Sequence, residues 1–360
     1  GVFINTGTIA KLDASTTRIG ETAGTLAFQN NGGTISVVSG GELEFREGGT
    51  FTGVTTLNTA AGAGKVDLRF GTFTVDEAAS FVGVNPSDRA LFLGTGGESA
   101  DSTLNIEGDL TLDALGLFVD ATVNVDSNSD GASTLSVGQI TTNGLSNTII
   151  GGADDLLVVG AGGLQMSSTF TLSGLSATSP LTTISAGALK RLDLNDGAVF
   201  TNTGTFDFGS SSQAIRNTSG TGTFINTGTL RHNTGTGISS VGDGSALSFQ
   251  NNGGTLVVGA GSELRFLNGG DFNNTFLNTS AGAGKIDLSL GKFTVNDGAI
   301  FSGVNAGDRV LFLDADGGAR SHAKLSQLTV AGLGLANFDH FGSSVAALGD
   351  VDGDSVTELA

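Results

Sequence analysis

Apolar and polar residues alternate along short segments of this chain, and turn residues separate the segments. Val66, Leu68 and Phe70 are spaced by charged residues, and residues 285–290 repeat this pattern. A period of two residues is typical of strands with one buried face, and the intervening Gly, Asn and Ser residues indicate turns. The pattern therefore predicts an all-β chain built from short strands.

A second period, close to 24 residues, is superimposed on this alternation. Phe200, Phe224, Phe249 and Phe272 are separated by 24, 25 and 23 residues, and the same spacing recurs near the start of the chain. An Asn follows most of these Phe residues by two positions; the Asn residues are Asn5, Asn30, Asn202, Asn226, Asn251 and Asn274. The regular spacing indicates a repeat architecture with one such mark in each coil.

A longer block is also duplicated. Residues 3–93 match residues 224–313 at roughly half of their positions, with an offset of 221 that falls to 220 after one residue is lost. Short strands, a fixed coil length and only 2 Pro residues favour a right-handed parallel β-helix of about 24-residue coils. We expect Phe side chains to stack in its interior and the Asn amides to form a ladder from coil to coil. A propeller has longer repeats, and an antiparallel sandwich would not repeat at a fixed length.

Composition and charge narrow the function. The chain has 35 acidic against 16 basic residues, a formal charge of -19, which disfavours nucleic acid and anionic membranes as partners. There is no Cys, and the 3 His residues lie far apart, so a thiolate site, a zinc site or a His-based triad is not expected. The chain contains no run of eighteen apolar residues, so a membrane-spanning helix is not expected. Gly1 lies inside a repeat, so we expect a fragment of a longer protein.

In texture the solenoid resembles the passenger regions of bacterial autotransporters and large haemagglutinin-like exoproteins, which are Gly-, Asn-, Thr- and Ser-rich, acidic and poor in Cys. The resemblance covers most of the chain but has no sharp motif. It implies a secreted or cell-surface scaffold and transfers no active site. The ligand it implies is a host, cell-surface or polysaccharide molecule, and we expect a monomer.

The C-terminal segment has a different style. Phe341 and Gly342 precede a strand-like stretch and then the string Gly-Asp-Val-Asp-Gly-Asp at 349–354, and together these resemble the FG-GAP repeat of integrin-type propellers. Carboxylates at loop positions 1, 3 and 5, a carbonyl at position 7 and a carboxylate at position 9 form an oxygen shell that suits calcium. These ligands would be Asp350, Asp352, Asp354, Val356 and Glu358. Where the family usually has Gly and Asp, this chain has Ser355 and Glu358.

Two other acidic segments are weaker candidates. Residues 126–131 have the spacing that opens an EF-type calcium loop, but Val137 stands where the bidentate Glu should be, which favours a polar loop. Residues 147–156 faintly resemble a Gly-rich calcium nonapeptide without its third Gly. Asp154 and Asp155 in this segment are neighbouring acids, but a catalytic pair is not expected because adjacent strand residues face opposite sides. The Gly-Ala-Gly-Lys strings at 62–65 and 282–285 lack the Ser or Thr and the helix of a phosphate loop.

These observations predict a β-helix over residues 1–318, a connector over 319–333 and a truncated FG-GAP repeat over 334–360. The expected function is a non-enzymatic, secreted or cell-surface, adhesin-like scaffold whose C-terminal repeat binds calcium. The alternative is a polysaccharide-active β-helix enzyme, a lyase or hydrolase, or its substrate-targeting region. Ice or mineral binding through flat Thr rows would need Thr-x-Thr at one fixed place in successive coils, a register that Thr55–Thr56 and Thr141–Thr142 do not keep.

Overall fold

The alternating segments form strands that stack in parallel, one coil above another. The computed structural model describes residues 1–21, 26–59, 64–95, 102–187, 189–234, 236–243, 246–279 and 284–295, together with four short strands beyond them. It contains no helix in this part of the chain. The chain divides into two compact units, Gly1–Leu328 and Thr329–Ala360. The first unit is a parallel β-solenoid, which confirms the predicted β-helix architecture.

In the first four coils three short strands alternate with turns. They are β1 (Val2–Asn5), β2 (Thr8–Lys11), β3 (Thr16–Ile19), β4 (Ala27–Asn31), β5 (Thr34–Val37), β6 (Glu42–Phe45), β7 (Gly49–Thr52), β8 (Val54–Asn58), β9 (Lys65–Leu68), β10 (Gly71–Val75), β11 (Ser80–Gly83) and β12 (Ala90–Leu93).

In the next five coils a short strand is followed by a long one that continues around a corner of the coil. They are β13 (Ser102–Ile106), β14 (Leu110–Phe118), β15 (Thr122–Val125), β16 (Thr134–Asn143), β17 (Ser146–Ile150), β18 (Leu156–Met166), β19 (Thr169–Ser173), β20 (Ser176–Ile184), β21 (Arg191–Asn195) and β22 (Ala198–Phe208).

The last coils return to short strands. They are β23 (Ala214–Arg216), β24 (Gly222–Asn226), β25 (Thr229–His232), β26 (Gly237–Val241), β27 (Leu247–Asn252), β28 (Thr255–Val258), β29 (Ser262–Phe266), β30 (Gly270–Asn273), β31 (Phe276–Thr279), β32 (Lys285–Leu288), β33 (Phe293–Val295), β34 (Ser302–Gly303) and β35 (Leu311–Leu313). In the second unit the described strands are β36 (Ala347–Gly349) and β37 (Glu358–Leu359).

One strand from each coil enters a continuous parallel sheet, here called the first sheet. Its fourteen strands run in the order β1, β4, β7, β10, β13, β15, β17, β19, β21, β23, β26, β29, β32 and β35. The remaining strands of each coil form the other two sides of the solenoid. Because partners in adjacent strands are usually 20–25 residues apart, the ladder follows the sequence period, as in Phe3 against Phe28.

The interior is apolar, and the marked Phe residues form part of it. Phe200, Phe224 and Phe249 lie in successive rungs with ring centroids 5.8 and 6.1 Å apart and nearly parallel planes. All three are essentially unexposed. The predicted Phe stack is therefore confirmed, and its offset geometry is the one that aromatic rings prefer.

The predicted Asn ladder is also present. Asn202 donates to the side-chain oxygen of Asn226 at 2.7 Å, and Asn226 donates to that of Asn251 at 2.6 Å. Asn251 then donates to the Thr275 hydroxyl at 2.9 Å, so Thr275 takes the place predicted for Asn274. The prediction for Asn274 is wrong, because that residue is exposed in a left-handed turn with φ of 49°.

The two copies of the duplicated block lie on different sides of the solenoid. The strand that carries Phe28, β4, belongs to the first sheet, whereas its duplicate β27 with Phe249 lies on the next side. Conversely, β29 belongs to the first sheet, whereas its counterpart in the first copy, β6, lies outside it. The offset of 221 residues thus equals nine coils plus one side. A solenoid with similar sides accepts the block after rotation by a third of a turn.

Glycine is required at one corner in both copies. Gly48 and its duplicate Gly269 have φ of +82° and +76°, and a Cβ on either would collide with a carbonyl oxygen of the next coil. A side chain would thus meet both backbone strain and a clash with the rung that stacks on it. These turns explain why Gly recurs with the strand marks.

Candidate functional site

The predicted calcium loop lies mostly outside the described residues. Among its ligands only the backbone of Glu358 is described, at the start of β37. Strands β36 and β37 pair antiparallel, with Gly349 opposite Glu358. The backbone therefore brings the two ends of the 350–357 segment together. The ligand set Asp350, Asp352, Asp354, Val356 and Glu358 stays a prediction.

The two weaker acidic segments are brought side by side. Asp126, Asp130 and Asp154 line one groove of about 740 Å³ on the outer side of the first sheet, together with Asn105 and Asn124. The full lining is Asn105, Asn124, Val125, Asp126, Ser127, Ser129, Asp130, Gly131, Ile150, Gly151, Gly152 and Asp154. We call this depression the amide groove. It is an open depression of the surface with a mainly polar lining.

Asp154 and Asp155 lie in the turn before β18, not in a strand, and they differ in burial. Asp155 is buried, where its carboxylate accepts from the backbone N–H of Ser133 at 2.9 Å and of Gly152 at 2.6 Å. Asp154 is exposed and lines the amide groove. One residue therefore holds two loops in place, while the other faces solvent. This arrangement is not that of a paired acid and base.

The 126–131 loop is held by its own side chains. Asp126 accepts from the backbone N–H of Asp130 at 3.4 Å, and Asn128 donates to Asp130 at 2.9 Å. Asp126 and Ser129 take left-handed φ values of 52° and 56°. These bonds hold the loop in its present shape. The polar-loop interpretation stays a prediction that rests on Val137 at position 12.

A separate carboxylate cluster lies on the side that contains β6 and β9. Glu42, Glu44 and Asp67 each place a carboxylate oxygen within 4.8 Å of the other two. Glu44 faces Asp67 in register because β6 pairs with β9. Both are essentially unexposed although they point away from the apolar core. Sequence reasoning missed this cluster, because Glu42 and Glu44 come from β6 and Asp67 from β9 of the next coil.

Arginines saturate the centre of the carboxylate cluster. Glu44 accepts from Arg46 at 2.8 and 3.0 Å, from Arg69 at 2.5 Å and from Arg18 at 3.0 Å. Burial alone would raise the pKa of Glu44, but the hydrogen bond from Arg46 and the charge of Arg69 hold that pKa below its usual value. Glu44 is thus an ionised partner of three guanidinium groups, which occupy the oxygens that a metal ion would need.

Asp67 has the opposite environment. The pKa of Asp67 is raised to about 6: burial is the largest cause, hydrogen bonds from Thr95 act against it, and the charges of Glu42 and Glu44 add to it. The Thr95 hydroxyl lies 2.5 Å from Asp67 and 2.8 Å from Glu42. A hydroxyl has one proton, so it can donate to only one of these carboxylates. Protonated Asp67 can donate to Thr95 while Thr95 donates to Glu42, which satisfies all three groups.

The duplicated block carries a corresponding network in which only the central residue has the opposite charge. Arg265 stands where Glu44 stands in the first copy, and it donates to Glu263 at 2.6 Å and lies 3.5 Å from Asp287. Glu263 and Asp287 correspond to Glu42 and Asp67. The second copy therefore has a cation between its two acids. The first copy has a third acid there, Glu44, whose charge is balanced by Arg18, Arg46 and Arg69.

His232 belongs to the core. It is fully buried in β25, and its Nδ1 donates to the backbone oxygen of Glu263 at 3.2 Å. Burial lowers its pKa, and Nε2 has no hydrogen-bond partner among the described residues. His322 and His340 lie outside the described residues. His232 is therefore a core residue, and burial outweighs the charge of Asp207, which acts to raise its pKa.

Lys65 and Lys285 each open a strand, β9 and β32, directly after the Gly-rich segment. A phosphate loop requires a helix there, so the rejection of that motif is supported.

Within the described ranges no helix could cross a bilayer.

The structure also reveals a threonine row that the sequence pattern hid. Register partners in the first sheet link Thr72 to Thr103, Thr103 to Thr122, Thr122 to Thr148 and Thr148 to Thr171. All five point outward, because the residues that follow them are buried. The spacings of 31, 19, 26 and 23 residues vary with the turn lengths. A search for a fixed period therefore could not find this row.

Comparisons with known proteins give no relative. No family model, no curated protein and no solved structure matches this chain. Function must therefore be argued from the residues themselves.

Proposed function

We propose that this chain is a non-enzymatic, adhesin-like solenoid scaffold of a secreted or cell-surface protein. The observation that carries the proposal is the continuous stack of parallel rungs. Inward positions are used by the Phe core and the Asn ladder, and outward positions repeat as rows along the first sheet. Such a stack forms a stiff support on which polar rows can face a ligand.

Ion pairs on the outer surface support a scaffold role. Arg89 pairs with Asp113, Arg216 with Asp193 and Arg231 with Asp207, each bridging neighbouring coils at 2.6–2.7 Å. The duplicate network around Arg265 does the same. Charged groups thus join successive rungs, and the acidic excess discourages pairing between rods.

The test is binding and product release measured on one sample. The purified chain is incubated with a panel of polysaccharides and host glycoproteins, and bound protein, reducing ends and unsaturated products are quantified. We expect retention on at least one polymer with no new ends. An amount of released product that rises with the concentration of the protein would favour the alternative, a polysaccharide lyase or hydrolase.

We also propose that the C-terminal repeat binds calcium. The antiparallel pairing of β36 with β37 supports a hairpin around the acidic loop. Calcium titrated into the full chain by calorimetry should give a dissociation constant of about 10⁻⁴–10⁻³ M, the range of extracellular modules. Asp350→Ala with Asp354→Ala should abolish this heat, whereas Asp126→Asn should keep it. Equal heats from all three proteins would refute the assignment.

A further inference from the structure

The amide groove combines a repeating floor with an acidic wall. Asn105, Asn124 and Ile150 are register partners in three successive strands, so they form a row along the stacking direction. Asn124 donates to the side-chain oxygen of Asn105 at 2.8 Å. Ile150 is 40% exposed and adds an apolar patch to the end of the row. The floor thus offers amide donors, amide acceptors and apolar contact at steps of ~4.8 Å.

The wall consists of turns that follow β15 and β17. Asp126, Asp130 and Asp154 project from these turns beside the floor. The turns are fixed by their own hydrogen bonds and by the buried Asp155, so a ligand would not have to order them. Preformed walls reduce the entropy cost of binding.

The geometry does not suit a metal ion. Among the described residues the carboxylates that converge within 4.8 Å are Glu42, Glu44 and Asp67, and the groove carboxylates do not. Anions are disfavoured as well, because no described lining residue is Lys or Arg. A neutral ligand rich in hydroxyl groups fits best, since hydroxyls donate to carboxylates and exchange hydrogen bonds with amides.

The row that forms the floor of the amide groove favours a long ligand. The floor continues beyond the groove through Thr74 on one side and Ser173 on the other, and the threonine row runs parallel to it two residues away. A polymer that presents hydroxyl groups at regular intervals can contact several rungs at once. Many weak contacts of this kind combine into useful avidity.

From these observations we infer that the amide groove binds a neutral polysaccharide lying along the stacking direction of the first sheet. This inference rests on the proposed adhesin-like function and names the site and ligand class for it. Asn105 and Asn124 hydrogen-bond the sugar hydroxyls, Ile150 contacts a C–H face of the ring, and the three aspartates accept hydroxyl protons and repel uronate or sulfated chains.

The experiment reverses the charge of the wall. Asp130 and Asp154 are exposed, so Asp130→Lys with Asp154→Lys should leave the solenoid core intact, although the turn loses the hydrogen bond from Asn128 to Asp130. The control Glu21→Lys with Asp271→Lys changes the net charge equally, outside the groove lining. Calorimetry on the full chain uses neutral hexasaccharides of β-linked glucose, mannose and N-acetylglucosamine, and an oligogalacturonate as the anionic probe.

We expect the parent chain and the control to bind at least one neutral hexasaccharide and to show no measurable binding of oligogalacturonate. The Asp130→Lys, Asp154→Lys variant should lose at least tenfold in affinity for the neutral probe and gain measurable affinity for oligogalacturonate. This gain separates loss of a site from loss of folding.

The possible failures are distinguishable. If the parent chain binds a polysaccharide and the groove variant binds it equally well, the scaffold proposal stands and the groove assignment is wrong. If the groove variant and the control lose affinity equally, net charge decides binding, and the groove assignment is again wrong. If the parent chain binds none of the neutral hexasaccharides at millimolar concentration, the groove assignment is wrong whatever the polymer panel shows.

Discussion

Asp67→Asn is expected to raise the free energy of unfolding by about 3 kcal/mol at pH 8. The folded chain holds the pKa of Asp67 at about 6, against 3.8 for a free side chain. Each pKa unit corresponds to 1.36 kcal/mol, so ionised Asp67 costs roughly 3 kcal/mol in the folded state. Asn is neutral and has nearly the same shape. It can still accept from the backbone N–H of Thr95, and it removes the charge that burial opposes.

The pH dependence follows from the sign of this shift. Because the folded pKa is raised, the stability linked to Asp67 protonation is fully present below about pH 4 and is lost as the pH rises through 6. The advantage of Asp67→Asn should therefore shrink to about 1 kcal/mol at pH 4.5. Glu44, whose pKa is lowered, loses its stabilising charge at lower pH in both proteins. The measurement is urea unfolding of both proteins at pH 4.5 and pH 8.

The duplicated block supplies a matched control. Asp287 occupies the position of Asp67 in the second copy and is equally buried, but it lies beside Arg265 and accepts from Ser289 at 2.6 Å. Asp287→Asn should therefore destabilise the chain at pH 8, by about 1–3 kcal/mol. If both variants shift stability in the same direction, the neighbouring charges do not determine the effect, and the account of the two networks is wrong.

The solenoid could be predicted because its signals are local and repeated. Alternation defined the strands, and the Phe and Asn marks defined the coil, so β4 and β27 could be placed in rungs from the sequence. The side of the solenoid that each strand occupies could not be predicted. It depends on how many residues each turn between Phe28 and Phe249 uses, and these turns have no common length.

The candidate sites were predictable only in part. Residues 126–131 and Asp154 stood out as acidic segments, but nothing local showed that they share a groove with Asn105 and Asn124. The carboxylate cluster depends on contacts over longer separations, such as Thr95 with Glu42 across 53 residues. Its significance is clear only from the register, which places Asp67 beside Glu44 and Asp287 beside Arg265.

Asn274 shows how a local rule fails. It follows Phe272 by two residues, as the ladder Asn residues follow theirs, yet the chain turns earlier in this coil. The inward place passes to Thr275, which accepts the last hydrogen bond of the ladder. Thr55 accepts from Asn30 in the same way in the first copy. Both ladders therefore end on a hydroxyl, an acceptor that needs no further amide.

The second large effect is expected in the middle of that ladder. Asn226 is fully buried and accepts from Asn202 at 2.7 Å while donating to Asn251 at 2.6 Å. Asn226→Ala would take the side-chain acceptor from one N–H of Asn202, whose amide keeps only its backbone acceptors, and would leave the buried Oδ1 of Asn251 without its donor. Each such loss costs about 1–3 kcal/mol, so we expect a loss of about 2–6 kcal/mol in the free energy of unfolding.

Asn124 in the amide groove provides the control for this prediction. Its side chain also hydrogen-bonds to the Asn of the preceding rung, Asn105, but it lies half-buried on the outer side of the sheet. Asn124→Ala should change stability by no more than about 0.5 kcal/mol, since water can replace the lost partner. Since each rung of a solenoid depends on its neighbours, Asn226→Ala should also split thermal unfolding into two steps, with the coils around Asn226 melting first. Hydrogen exchange should then rise in β22, β24 and β27 and stay unchanged in β13. Equal, small effects from both variants would mean that the interior ladder contributes no more than a surface hydrogen bond, and that the Phe stack alone fixes the register of the coils.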